Sequence, residues 1–161
     1  MIVVSNTSPI CYSVMIGEAD LLARLYGKVV ISQTVLQELS VSRTPEQVRD
    51  WVKHLPDWLE VKDDAPTSLI LPRVLQAGEA SAIVLAKNLR ADVLILDDRA
   101  ARRVATAHGL TVVGLLGLLI LAHRSGQTDA RLAIRKLRQT SFFVTDDLLT
   151  RLSQEHGIAL L

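Results

Sequence analysis

Oxygen-bearing side chains recur in this sequence where a parallel sheet would gather them. Asn6, Thr7 and Ser8 follow the short apolar run Ile2-Val-Val-Ser5, and Asp97 and Asp98 follow Val93-Leu-Ile-Leu96. Glu38 lies within Val35-Leu-Gln-Glu-Leu39, and Glu79 opens Gly78-Glu-Ala-Ser-Ala-Ile83. Ligands of open parallel sheets bind outside the carboxyl ends of the strands, which selects these positions. Each acid alone has an ordinary explanation. Glu79 at a helix start complements the helix dipole, worth about 0.3–1 kcal/mol. One of Asp97 and Asp98 can cap the helix that follows, and Glu38 can face solvent beside Gln37. The set points further. Carboxylates sharing a pocket repel, and a hard cation relieves that cost. Magnesium or manganese, held by a few carboxylates with open water positions, can activate water and stabilise a pentacovalent phosphate.

Other site chemistries are disfavoured. No histidine neighbours a serine at a strand end, and His54, His108, His123 and His156 form no HxH or HExxH spacing, so each reads as a surface or helix-end residue. Cys11 is the one cysteine, which excludes an intrachain disulfide and a Cys-based zinc site and suits a small buried hydrophobe on the first helix. The glycines match neither G-x-G-x-x-G nor the Walker spacing. A phospho-acceptor domain is also disfavoured, because the acidic doublet comes late and no acceptor Asp or Lys follows the strand at 111–113.

With Lys+Arg 18 against Asp+Glu 17, the formal net charge is +1, so a nucleic acid must be met by a local basic patch. Arg99, Arg102 and Arg103 share one side of the helix after Asp97 and Asp98, where they could meet polynucleotide phosphates. Arg102 could instead be an internal partner of a pocket carboxylate. Arg131, Arg135, Lys136 and Arg138 form a second basic run, read first as a solvated face.

The elements that must position these residues read as α/β. A length of 161 residues suits one domain, 1–161. Hydrophobic content is 49% with 4% aromatic, so the core must be aliphatic. Strands are expected at 2–5, 28–31, 93–96 and 111–113, with a short edge strand at 58–61. Helices are expected from Pro9 to Met15 with Ser8 as cap, at 18–25 stopped by Gly27, and after Ser32 through Leu39. Further helices follow a Thr44–Gln47 capping box, then at 69–76 up to an interruption at Gly78, and at 79–89. The remainder reads as helices from Arg99 to near Gly109, at 115–124, at 129–139 and at 146–156, with Gly157 as stop. The expected fold is a three-layer α/β/α domain with a parallel sheet of about four strands. The start has no basic n-region, and the apolar stretch 110–122 is broken by Gly114 and Gly117 and falls short of the roughly 20 residues a spanning helix needs. A cytoplasmic protein without a membrane partner is expected.

In order along the chain, Val3-Val-Ser-Asn-Thr-Ser-Pro9, Val35-Leu-Gln-Glu-Leu39, Gly78-Glu-Ala-Ser-Ala-Ile83, Ala91-Asp-Val-Leu-Ile-Leu-Asp-Asp-Arg99 and Val113-Gly-Leu-Leu-Gly-Leu-Leu119 resemble PIN domains. This is the PilT N-terminal nuclease fold, and the likeness is closest to a prokaryotic branch catalogued as a domain of unknown function. The resemblance, which covers almost the whole chain, implies a magnesium- or manganese-dependent ribonuclease similar to the toxins of VapBC-type toxin–antitoxin pairs. It implies that Asn6, Glu38, Glu79 and Asp97 occupy the four acidic positions, with Asp98 the alternative for the last. Ser8 then matches the hydroxyl after the first acid, and Arg99 and Arg102 are substrate or structural contacts. An RNA substrate, an antitoxin partner and a homodimer are further implications. Asn6 stands where the family usually has Asp. An amide oxygen still ligates a hard cation but brings no negative charge, so the alternative is an attenuated module that binds RNA or protein without cutting.

Overall fold

The computed structural model describes residues 1–161. Five short strands form one parallel sheet: β1 (Val3–Ser5), β2 (Val29–Ser32), β3 (Leu59–Lys62), β4 (Val93–Ile95) and β5 (Val112–Val113), in the order β3-β2-β1-β4-β5. β-Branched residues dominate the central strands, and burial on both faces explains their unbroken apolar runs. Side chains alternate faces along each strand. Val3, Val29, Ile31 and Ile95 join one cluster, whereas Val4, Val30, Leu94 and Leu96 join another.

Helices cover both faces. On the first lie α1 (Thr7–Met15), α2 (Leu21–Tyr26), α3 (Gln33–Ser40) and α4 (Glu46–Val52), joined there by Leu118 of α7 (Leu115–Arg124). On the second lie α5 (Ala77–Leu89) and α6 (Arg99–Ala107). α7, α8 (Ala130–Leu137) and α9 (Asp146–His156) form a third apolar cluster around Leu115, Leu119, Ile134 and Leu149. The architecture is the expected three-layer α/β/α, with five strands where about four were anticipated. The fifth is the short edge segment, realised as β3 beside β2.

Three local expectations give way to tertiary context. Residues 69–76 are not helical. Pro72 lacks an N–H and restricts the residue before it, so the segment runs irregularly with a single turn from Pro72 to Leu75. Leu71 and Leu75 pack on the core while Ile70 is left 92% exposed. Consequently α5 begins at Ala77 and contains Gly78 rather than starting after it. The first helix begins at Thr7 with Asn6, not Ser8, in the cap position, which puts Pro9 third in the helix, where no intrahelical N–H is required. The Thr44–Gln47 box does not form either. The Thr44 hydroxyl donates to the Glu38 carbonyl at 2.6 Å, and Pro45 takes the cap position of α4.

Ser32 is a cap as expected: its Oγ accepts from the Val35 N–H at 3.0 Å. The same hydroxyl, on a fully buried residue, lies 2.7 Å from that of the half-buried Ser81, tying α3 to α5. Ser32→Ala removes both contacts and is expected to lower unfolding free energy by about 0.5–2 kcal/mol, measured by denaturant titration.

Candidate functional site

The strand order reverses at β1. The chain proceeds outward through β2 and β3, then returns to the other side of β1 for β4 and β5. Such a switch opens a crevice beyond the strand carboxyl ends, here those of β1 and β4. The two strands pair Ser5 with Ile95, and the Asn6 N–H continues the ladder to the Ile95 carbonyl at 2.9 Å. Asn6 and Asp97 therefore leave the sheet at adjacent strand ends. Asn6 is 5% exposed, and its Oδ1 is buried with no hydrogen-bond partner.

Each acid is held by a backbone amide. Asp97 Oδ1 accepts from the Leu115 N–H at 2.8 Å, so Asp97 caps α7 from a distance, while its Oδ2 is buried and unpartnered. Burial raises the Asp97 pKa, an effect that the Leu115 amide and the Arg102 guanidinium partly offset. Asp98 is exposed and caps α6, accepting from the Ala101 N–H at 2.8 Å. The doublet thus divides, one residue inward and one outward. Glu79 is 9% exposed, with Oε2 accepting from the Gln76 N–H at 2.9 Å. Its pKa is raised, first by burial and then by the negative charges of Asp98 and Glu38, against the lowering effect of the Gln76 amide. Glu38 is half-buried and tethered rather than free in solvent. Its Oε1 accepts from the Gly78 N–H at 2.9 Å, and its Oε2 accepts from the Thr7 hydroxyl.

These residues do not share one cavity. Asn6, Thr7, Glu38 and Glu79 open on a depression of about 770 Å³, together with Cys11, Arg43, Thr44 and Gln76. Asp97, Asp98, Arg99 and Arg102 open on a second of about 770 Å³, together with Phe142, Phe143 and Arg151. Ser8 and Tyr12 line both. No three His, Cys, Asp or Glu side chains converge closely enough to form a metal-holding cluster.

The basic residues separate as well. Arg102 Nη1 points to the Leu96 carbonyl at 3.4 Å beside Asp97, the internal placement weighed for it above. Arg99 is exposed on the second depression, and Arg103 lines neither. Arg131, Arg135, Lys136 and Arg138 are exposed on or just beyond α8, away from both depressions, and Arg138 pairs with Asp146 at 2.5 Å. Cys11 is half-buried, its thiol pKa raised by burial. Tyr12, Arg43, Arg151 and the two phenylalanines escaped the sequence reading. Phe142 and Phe143 carried one signal, being an adjacent pair and the only phenylalanines of the chain.

A three-layer α/β/α sandwich with polar side chains at the carboxyl ends of its central strands defines the class. The chain belongs to the PIN-domain family: the family model DUF3368, described as a PIN domain, matches residues 2–157. Among solved structures it is similar to a PilT N-terminus domain protein, SSO1118, from the archaeon Sulfolobus solfataricus P2. The TM-score is 0.53 at 16% identity, covering 89% of this chain and 100% of that one, a likeness of fold. No curated protein sequence matches the chain. PIN domains are generally nucleases and typically use divalent metals, so the fold is of a nuclease type. No helix is long and apolar enough to cross a membrane.

Two predictions follow from the geometry. A Cβ at Gly78 would overlap the Glu38 carboxylate. Gly78→Ala is therefore expected to displace Glu38 and cost about 1–3 kcal/mol in denaturant unfolding. The second concerns Asp97, whose folded pKa lies above the ordinary 3.8. The native state then holds this proton more tightly than the unfolded state does, so its contribution to stability falls as pH rises from about 3.8 through the folded pKa. In metal-free buffer Asp97→Asn is expected to be more stable than wild type at neutral pH, the gap closing on acidification. A constant gap across that window, in unfolding curves taken at stepped pH, would refute this.

Proposed function

We propose that this protein is a divalent-metal-dependent endoribonuclease. The observation that carries the reading is the pair of buried, unpartnered oxygens, Asn6 Oδ1 and Asp97 Oδ2, on residues at adjacent strand ends. An unsatisfied buried polar atom costs about 1–3 kcal/mol, which an occupant of the crevice would relieve. A donor set of carboxylate and amide oxygens fits a small hard cation such as magnesium or manganese. Asn6 and Asp97 would hold it, with Glu79 and Glu38 supplying negative charge from the neighbouring depression. A bound ion supplies polarisation of a phosphoryl oxygen and acidification of water.

The chain's own groups divide the remaining work. Glu79 Oε1 is free of protein hydrogen bonds while Oε2 is held, so the carboxylate is oriented to accept a proton from the attacking water. Its raised pKa brings it closer to the operating pH than an ordinary glutamate, as general-base work favours. Arg99, exposed on the rim, meets a phosphate of the substrate, and the Ser8 hydroxyl orients the strand where the two depressions join. Arg102 moderates the charge of Asp97. The likeness of the strand-end motifs to VapBC-type toxins extends the proposal to a toxin role, with an antitoxin as partner.

A second reading has its own observation. Asn6 lacks the charge of an acid, and no three carboxylates converge. Both favour an attenuated module that binds RNA without cutting it.

Purified protein with a mixed RNA pool and magnesium or manganese separates the two. The nuclease reading expects cleavage that requires metal and falls more than about 100-fold in Asp97→Asn, beyond the 10–100-fold typical of outer partners. Asp98→Asn is expected to retain it. Absence of cleavage by the folded wild type, with activity appearing in Asn6→Asp, would establish the attenuated module instead.

A further inference from the structure

We propose that Phe143 is a stacking platform for an unpaired base of single-stranded RNA, with Arg99 and Arg151 taking the adjoining phosphates. The inference rests on the RNA-cleaving reading above and names how the strand is held. Phe143 is 86% exposed, beside the depression that contains Asp97. Exposed apolar side chains occur elsewhere on the surface, Ile70 among them, and what distinguishes Phe143 is its place on the rim of this depression beside Arg99 and Arg151.

The loop around it is braced. Phe142 packs edge-on against Tyr12, with ring centroids 5.1 Å apart and planes at 81°. The Tyr12 and Ser141 hydroxyls lie 2.8 Å apart, and the Phe142 N–H donates to Thr140 Oγ1 at 3.1 Å. These contacts anchor the two residues before Phe143 to α1 and to the end of α8. The ring is therefore presented from a fixed backbone, which reduces the ordering cost of stacking.

Charge favours a polynucleotide over a protein partner. The wall carries the exposed Arg99 and Arg151 against one exposed carboxylate, Asp98, while Arg102 and Asp97 are turned toward each other inside. An exposed aromatic face on a rim that also carries guanidinium groups suits a base and its phosphates, as in sequence-tolerant single-strand binding. Tyr12 and Ser8 line this depression and its neighbour, so a strand seated at Phe143 passes Asp97 and continues toward Asn6 and Glu79.

The test measures binding of a short labelled oligouridine in chelator, where cleavage does not interfere, beside binding of inorganic polyphosphate, which has no bases. Phe143→Ala is expected to weaken oligouridine binding about 5- to 100-fold and leave polyphosphate unchanged. Phe143→Trp is expected to retain affinity, with its added indole fluorescence quenched by the oligonucleotide. Arg151→Ala is expected to weaken both probes. Equal oligouridine binding by wild type and Phe143→Ala overturns the proposal, as does equal loss of both probes in that variant. So does a wild type with no affinity for single strands, which would make the ring an anchor for a protein. The two readings fail separately. Cleavage by wild type with unchanged binding by Phe143→Ala removes the platform alone. Base-dependent binding through Phe143 without cleavage keeps the platform and removes the nuclease.

Discussion

The pairing of β1 with β4 is the constraint on which the rest of this molecule depends. Paired residues of the two strands lie 90 positions apart in sequence, yet their register is set by three pairs and prolonged by the Asn6 amide onto the Ile95 carbonyl. A one-residue slip would turn Val3 and Ile95 toward the wrong layer and carry Val4 and Leu94 with them. Burial on both faces therefore locks the register, and the locked register holds Asn6 and Asp97 side by side. Neither Asn6 Oδ1 nor Asp97 Oδ2 has a partner, and neither can escape to water. The sheet tolerates them because the cost of two orphaned oxygens is small beside that of unpacking two hydrophobic layers.

Around that edge, each acid that the sequence singled out has a structural task. Asp97 caps α7, Glu79 receives the Gln76 amide before α5, and Glu38 braces Thr7 of α1 against Gly78 of α5. A carboxylate with one oxygen fixed by a backbone N–H has its other oxygen aimed. Asp97 and Glu79 have this half-engaged form, whereas both oxygens of Glu38 are engaged. Capping thus fixes the orientation of these carboxylates in advance. The close approach at Gly78, where any Cβ would overlap the Glu38 carboxylate, shows how tightly α5 is drawn against α3.

The legible parts were those governed by local chemistry. Val93 to Leu96 announced a buried strand, Ser32 announced a cap, and the doublet after Leu96 announced another, which Asp98 supplies. Errors arose where a side chain had a stronger distant partner than its near one. Thr44 spends its hydroxyl on the Glu38 carbonyl instead of a capping box. Residues 69–76 have helical spacing, yet Pro72 and the burial of Leu71 and Leu75 prevail over it. Arg43 comes from the loop after α3 and Arg151 from α9, far from the acids in sequence, and no local pattern marks either as lining a depression.

By itself the sequence determined the layer architecture, because alternating apolar runs and amphipathic stretches have one economical way to bury their surface. It also determined which side chains stand at strand ends, since strand, turn and helix signals there are contiguous. The tertiary structure decided what those side chains do. It turned Asp97 inward and Asp98 outward, because α7 offers an amide to one and α6 to the other. It also divided the candidate residues between two depressions meeting at Tyr12, and it left Phe143 in solvent while pinning Phe142. These outcomes depend on how helices from distant parts of the chain pack against a common sheet edge. Such contacts carry no periodicity along the chain, and only the folded geometry brings the partners together.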